Sequence, residues 1–451
     1  MNTIRIKQGL DLPLTGSAVC SLGEASGIDT YAVKPGDYVG LVPRLLVEEG
    51  ALVKCGDALV CDKQDERIRL TSPVAGRVTA VIRGEKRKLL AVVVKREGES
   101  EGCVCSTTDV RMAMLQTGLW AMLRQRPFGT IANPDDRPKA IVVSAFDSAP
   151  LAPDYDYMLQ GREEDFCNGL RALASLTDGV LHVCFRPGQQ LAAAVQGQNG
   201  LRAEYHCVEG PHPAGNVGTQ IARLCPIDKG DRVWTMNPQD VALLGCLMRT
   251  GVYRPERMVA VVGPSAKHPQ YYRLVAGACV SSLVSDQLAD GNSVRVLSGN
   301  VLCGTNIGAG GYLSGYDSMV TLLPEGDYYD FMGWLLPGVH KHSFSRTFLC
   351  GFAPRSSRVQ RWLKPRFDTN RHGDVRPFVF TGNFEKVFPF DIYPLQLIKA
   401  CLVGDMELQE KLGIYEVEPE DFALCEYIDV SKTDIQPIIR EALEKLRKEA
   451  L

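Results

Sequence analysis

Between Val47 and Val94 apolar and polar residues alternate in two copies of one pattern, VEEGALVKCGDAL (47 to 59) and SPVAGRVTAVIRGEK (72 to 86). Turn glycines punctuate each copy, at Gly50 and Gly56 and again at Gly76 and Gly84. A period of two on either side of a polar hairpin predicts a small closed β sandwich. The period then lengthens. Residues 107 to 123 put Val110, Met114, Leu115, Leu119 and Met122 on one helical stripe. A strand at 139 to 146, a helix at 162 to 177 and a strand at 179 to 185 predict an α/β domain with a parallel sheet, continued by a helix at 239 to 251 and a strand at 256 to 263. From Tyr271 to Leu323 short strands and many glycines predict a compact β-rich domain, and the remainder reads as mostly helical with a basic insertion. In the final helix Ile435, Ile438, Ile439, Ala442, Leu443 and Leu446 form an apolar stripe, and Thr433 with Gln436 fits a capping box.

The β sandwich resembles a biotinyl/lipoyl-type barrel, a fold that presents a lysine at a hairpin tip for a swinging cofactor. Here Glu66 stands near the tip with Asp65 and Arg67 beside it, and Lys63 lies off it. Neither a carboxylate nor a guanidinium can be acylated there, so a scaffold is the expected role, with a lipoyl or biotin carrier as the alternative.

Composition narrows the picture. A chain of 451 residues is too long for one core. The expected divisions are a biotinyl/lipoyl-like β domain over 1–103, a Rossmann-like α/β domain over 104–264, a β-rich domain over 265–330 and a mostly helical C-terminal region over 331–451. A net charge of −3 predicts no general affinity for nucleic acid. The longest apolar runs, LLAVVV (89 to 94) and MVAVVG (258 to 263), fall far short of the roughly 18 to 20 residues that span a bilayer. MNTIRIKQGL has no apolar signal core, so no export signal is expected. The 15 cysteines are scattered, many in apolar segments, as Cys246 and Cys279 are, which predicts buried free thiols in a reducing compartment. Cys103 and Cys105 lack the second pair that a structural zinc site needs, no zinc or iron–sulfur ligand set is visible in the spacing, and no GxSxG motif arranges a nucleophile.

Four segments carry candidate chemistry. GTNIGAGGYLSG (304 to 315) reads as a phosphate cradle or as tight turns, and the strand-like YDSMVTLL that follows favours turns. In VEGPHPAGNVGTQIARL (208 to 224) two prolines hold His212 in an extended loop, where it either contacts a ligand or partner chain or satisfies a backbone carbonyl. GLWAMLRQRPFG (118 to 129) brings Trp120, Arg124, Arg126 and Phe128 together, which suits a flat carbonyl-bearing ligand such as a quinone or, equally, helix packing with solvated arginines. The stretch 353 to 377 carries Arg355, Arg358, Arg361, Lys364, Arg366, Arg371 and Arg376 with Trp362 and Phe367, a composition that fits an anionic lipid or an acidic partner, or a solvated loop.

GLDLPLTG (9 to 16), YVGLVP (38 to 43), SPVAGRV (72 to 78), RGEKR (83 to 87), GLWAMLRQRPF (118 to 128), GPHPAGNVGT (210 to 219), VRVLSGNVLCGT (294 to 305) and EDFALC (420 to 425) run in order along the chain. Together they resemble the A subunit of the Na+-translocating NADH:quinone reductase. The resemblance implies multidomain α+β architecture, with a β-grasp (SLBB-like) domain over 265–330. It also implies a peripheral subunit on the cytoplasmic side of the bacterial inner membrane, bound to subunits B to F of a complex that couples NADH oxidation and quinone reduction to Na+ export. It places flavins and the iron–sulfur cluster in other subunits, leaves no redox cofactor, metal or catalytic residue to this chain, and associates quinone with Val33 to Leu41 and Arg126 to Ile131, thus adding Asp37 and Tyr38 to the candidates.

The C subunit of the Rnf complex and the flavin-binding subunit of respiratory complex I are more distant relatives. They carry a glycine-rich loop where this chain has Trp120, Met122, Leu123, Arg124 and Gln125, which should block FMN and NADH. Their ferredoxin-type cysteine runs are missing too, since Cys425 stands alone with Asp429 near the place of a second cysteine. An FMN- and NADH-binding electron-input subunit is the competing reading. Intact mass spectrometry of the purified chain is expected to give the unmodified mass, and an acylated lysine would revive the carrier reading.

Overall fold

The barrel is built from the strands Thr30–Val33, Pro43–Leu45, Leu52–Val53, Ala58–Asp62, Arg69–Thr71, Gly76–Arg83 and Leu89–Arg96. They form a four-stranded and a three-stranded sheet facing one another, and the inward residues Leu59, Val60, Val78, Val92 and Val94 are fully buried. This computed structural model describes residues 1–98, 102–196, 202–288, 293–333, 335–349, 365–372 and 376–450. The hairpin between Ala58–Asp62 and Arg69–Thr71 has its tip at Asp65 to Arg67, where the spacing places it.

The α/β sheet runs in the order Asn2–Arg5, Glu204–Glu209, Val180–Phe185, Ala140–Ser144, Val233–Thr235, Arg124–Arg126 and Thr130–Ile131. The first five strands are mutually parallel, Arg124–Arg126 pairs antiparallel with Val233–Thr235, and Thr130–Ile131 pairs antiparallel with Arg124–Arg126. Side chains alternate across a strand, so a sheet covered on both faces must be apolar throughout. Ile141 and Val143 accordingly join a core shared with the barrel and the helices Glu163–Ala174 and Pro238–Thr250. Ala140 and Val142 join a second core with Phe384, Phe388, Phe422 and Leu443 of the C-terminal helical region. The two helices pack through glycines: a β-carbon on Gly245 would lie 1.7 Å from the carbonyl oxygen of Asp165.

A six-stranded sheet of Val19–Gly23, Gln270–Val275, Glu256–Val262, Met319–Pro324, Val294–Ser298 and Thr305–Asn306, with the helix Ser281–Gln287, makes the third, β-grasp-like unit. Its glycine-rich 304 to 315 segment is turn and short strand between paired strands.

Several expectations shift. Residues 1–103 supply strands to three units, because Asn2–Arg5 extends the α/β sheet and Val19–Gly23 pairs with Gln270–Val275. Glu256–Val262, expected at the end of the α/β unit, is central to the third sheet. The helix expected over 107 to 123 stops at Thr117, where left-handed Gly118 (φ 79°) lies against Thr71 of the barrel, and resumes as a single turn over Leu119–Met122. Thr433 and Gln436 form no capping box. The Gln436 amide side chain donates to the carbonyl of Leu302 instead, and the Glu426 carboxylate accepts the Gln436 backbone N–H. Cys246 and Cys279 are free thiols, but only partly buried.

Trp120 sits where barrel, α/β unit and helices meet. It is 1% exposed, meets Trp234 edge to face at 5.6 Å, and donates its indole N–H to the Ala132 carbonyl at 2.8 Å. Trp120→Ala is expected to cost about 3–5 kcal/mol of stability, as truncation of a buried tryptophan does. Urea denaturation followed by circular dichroism measures it, and a cost below about 1 kcal/mol would contradict this packing.

Candidate functional site

A cleft of about 730 Å³ opens between the barrel and the α/β unit. One wall is Val39, Gly40 and Leu41 with the hairpin tip Asp65 to Arg67, and the other is Gln125, Phe128, Thr130 and Ile131 with the loop Asn133 to Asp136. Arg447 of the last helix, Ile435–Ala450, closes one side. The volume falls within the range typical of small-molecule sites, about 300–1,000 Å³.

The charged groups of the rim are paired almost completely. Arg67 bridges Asp65 (2.7 Å) and Asp135 (2.6 Å), which ties the barrel tip to the α/β unit. Glu66 pairs with Arg44 at 2.6 Å and Asp136 with Arg232 at 3.7 Å, and Asp62 accepts the N–H groups of Val42 and Gln64. Arg447 differs: its Nε is buried with no hydrogen-bond partner among the described residues. Gly40 (φ 80°) lets Arg447 approach, since a β-carbon there would meet its guanidinium carbon at 3.3 Å. Phe128 is held at φ 82°, a conformation that costs a non-glycine residue on the order of 1–3 kcal/mol, and stands edge to face with Tyr415 at 6.0 Å.

Behind this wall lies a buried ionic cluster. Arg126 is engaged by Glu420 (2.6 Å), Asp421 (3.1 Å) and Glu418 (3.8 Å). Arg124 reaches Glu418 at 3.2 Å and lies over the Tyr316 ring, and Arg440 joins through Glu418 at 3.7 Å and the Phe128 carbonyl at 2.9 Å. Glu418 and Asp421 also close a capping box at the turn Pro419–Phe422. Burial opposes the charge of Glu418, but the guanidinium groups of Arg126, Arg124 and Arg440 outweigh it and hold the carboxyl below its usual range. Burial pushes Asp421 up to about 7 against the pull of Arg126.

The sequence-derived candidates scatter around this geometry. Phe128 lines the cleft, whereas Trp120 is core, and Arg124 and Arg126 are committed to carboxylates. Asp37 and Tyr38 line a separate space of about 50 Å³, room for a few waters, where Asp37 pairs with Lys34 at 3.4 Å and burial raises Tyr38. His212 is buried, with Nδ1 3.0 Å from the Ser148 hydroxyl and its backbone N–H donating to the Asp11 carboxylate, and burial lowers the imidazole to about 4. Its carbonyl accepts from Leu10, so the GLDLPLTG and GPHPAGNVGT motifs brace one another. Arg366 is exposed, while Arg358, Arg361 and Trp362 lie outside the described residues. Gln125, Arg447 and the barrel tip line the cleft but stood outside the candidate set; a turn glycine facing a C-terminal arginine leaves no local signal in sequence.

Fold and cleft define a multidomain protein in which a carrier-type barrel is fixed against an α/β unit, and no described helix is long and apolar enough to cross a membrane. Family models match in the same order: the NqrA N-terminal barrel-sandwich hybrid domain over residues 4–97, the NqrA second alpha/beta domain over 105–253 and the NQRA C-terminal domain over 258–308. The A subunit of the Na(+)-translocating NADH-quinone reductase is 37% identical in Yersinia pestis, in Pseudomonas aeruginosa strain UCBPP-PA14 and in Neisseria gonorrhoeae, each over 457 residues covering 99% of this chain and 100% of the relative. Among solved structures, an NAD+-reducing NiFe-hydrogenase in the H2-reduced state aligns with 70% of this chain and 55% of its own at 13% identity and a TM-score of 0.35. The chain belongs to the family of the A subunit of the Na+-translocating NADH-quinone reductase, one component of a multi-subunit translocase.

The cluster makes a pH prediction. Folded Asp421 retains its proton to about pH 7, whereas an unfolded aspartate releases it near 3.8. Between those values the native state binds more protons, so stability falls as pH rises. Relative to Asp421→Asn, the wild type is therefore expected to lose stability from about pH 4 to about pH 7 in denaturant titrations. A difference independent of pH would show that the carboxylate is ionised throughout.

Proposed function

We propose that this chain serves the Na+-translocating NADH:quinone reductase as a docking scaffold whose cleft between barrel tip and α/β unit takes a quinone headgroup. One observation carries the reading: Val39, Gly40 and Leu41 converge with Phe128, Thr130 and Ile131 on a single cleft, and these belong to the two segments that the resemblance associates with quinone. The chemistry is complementary. A quinone carbonyl is an acceptor, and Arg447, which lines the cleft, carries guanidinium donors. Phe128 offers a ring face or edge to a flat headgroup, and Val39, Leu41 and Ile131 offer apolar surface to its substituents.

In this reading electrons pass from NADH through flavins and an iron–sulfur cluster held by subunits B to F, and their delivery to quinone is coupled to Na+ export. This chain contributes no redox centre of its own. It lies peripherally on the cytoplasmic face of the bacterial inner membrane and meets the membrane through those subunits. Buried Trp120 and Leu123 support the lack of an FMN or NADH site, since they fill the loop position that bare backbone occupies in the flavin-binding relatives. The basic stretch that includes Arg358, Arg361, Trp362 and exposed Arg366 suits an acidic partner surface or anionic lipid.

Titration of the purified chain with a water-soluble quinone tests the cleft. Arg447→Ala and Phe128→Ala are each expected to weaken binding by about 1 kcal/mol or more, a lost charged hydrogen bond or aromatic contact. Circular dichroism checks that both variants keep the fold. Unchanged affinity in both would remove quinone from this cleft.

A further inference from the structure

On the far side of the α/β sheet from the cleft's hairpin, parallel pairing sets His182 opposite Glu204 and Cys184 opposite His206. With a period of two, His182, Glu204 and His206 therefore project from the same face of neighbouring strands. Their donor atoms converge: His182 Nδ1 is 3.0 Å from His206 Nε2 and 3.6 Å from Glu204 Oε2, and His206 Nε2 is 3.8 Å from that same oxygen. A point about 0.5 Å out of the plane of these three atoms and equidistant from them lies about 2.1 Å from each, within the range of zinc bonds to nitrogen or carboxylate oxygen, and leaves the side away from that plane open. No other group of three or more histidine, cysteine, aspartate or glutamate side chains with such proximity occurs among the described residues.

We infer that His182, His206 and Glu204 form a binding site for a divalent transition-metal ion of the zinc class. Two imidazoles and one carboxylate supply three ligands and leave one tetrahedral position for water, reached from the side of Glu204, which is exposed while both histidines are buried. The donor set of nitrogen and oxygen, with no thiolate, suits zinc, nickel or copper better than calcium or magnesium. The bound ion would clip the strand Val180–Phe185 to Glu204–Glu209, next to Asn2–Arg5, whose Asn2 is the register partner of His206. His206 Nδ1 is buried without a hydrogen-bond partner among the described residues, so this ring lacks the outer acceptor that strengthens many metal-bound histidines. Without metal the two rings share one proton across the 3.0 Å contact.

The test is calorimetric titration of the purified, metal-stripped full chain with Zn2+, alongside His182→Ala and Glu204→Gln. Because the chain has 15 cysteines, a second readout is the spectrum of the Co2+-loaded protein, which separates nitrogen and oxygen ligation from thiolate ligation. Wild type is expected to bind one equivalent more than His182→Ala, with visible cobalt bands of a four-coordinate site and no accompanying thiolate charge transfer. Loss of an outer-shell partner already weakens metal binding about 10–100-fold, so Glu204→Gln, a change at an exposed position that leaves the core intact, is expected to weaken it by about tenfold or more. Zinc should also raise the melting temperature of wild type more than that of Glu204→Gln. Equal stoichiometry and affinity in all three chains, or cobalt spectra carrying only thiolate bands, would overturn the site and leave a histidine–histidine hydrogen bond.

Discussion

A guanidinium removed from water must find opposite charge with good geometry, and Arg126, 4% exposed, finds it among the described residues in Glu418 and Glu420, with Asp421 as a hydrogen-bond acceptor. That requirement joins the hairpin of the α/β unit to the C-terminal region, some 290 residues further along the chain. Once it is met, Arg440 reaches the Phe128 carbonyl and the last helix is fixed in rotation. Arg447, two turns further on, then arrives at Gly40. The strained backbone of Phe128 is held by the same contacts. The cleft is thus in part a by-product of satisfying buried charge: Arg126 and its carboxylates, which do not line it, set the wall that carries Phe128 and Arg447.

The barrel shows how a familiar fold is put to another use. In a carrier the hairpin tip is a free handle, and its lysine must sweep through solvent. Here Arg67 carries a charge that Asp65 and Asp135 share, so the tip is anchored to the neighbouring unit and becomes a wall. The side chains that leave no attachment point at the tip thereby supply the anchor.

Much of this architecture was legible from periodicity. Val78, Val92 and Val94 alternate as barrel strands should, and Ala140 to Val143 read as a strand buried on both faces because they are. The site was less legible. Trp120 beside Arg124 and Arg126 gives the same local pattern whether the ring stacks on a ligand or packs in a core, and only the partners, Trp234 and Glu418 to Asp421, decide. His182 lies 22 residues before Glu204, a separation that matches no metal-ligand motif, because register between parallel strands, not local spacing, brings them together. Boundaries failed for a related reason: a strand of four or five residues does not announce which sheet it will join.

The threading of the first 23 residues has a consequence for biosynthesis. Asn2–Arg5 is synthesised some two hundred residues before its partner Glu204–Glu209, and Val19–Gly23 waits longer still for Gln270–Val275. Non-local pairing of this kind is slow, because the closure entropy is spent before any contact rewards it. Each of these two strands therefore remains an unpaired edge until its partner has been made, exposed meanwhile to chaperones and to other chains, and the two sheets can close only when strands made much later gather them up.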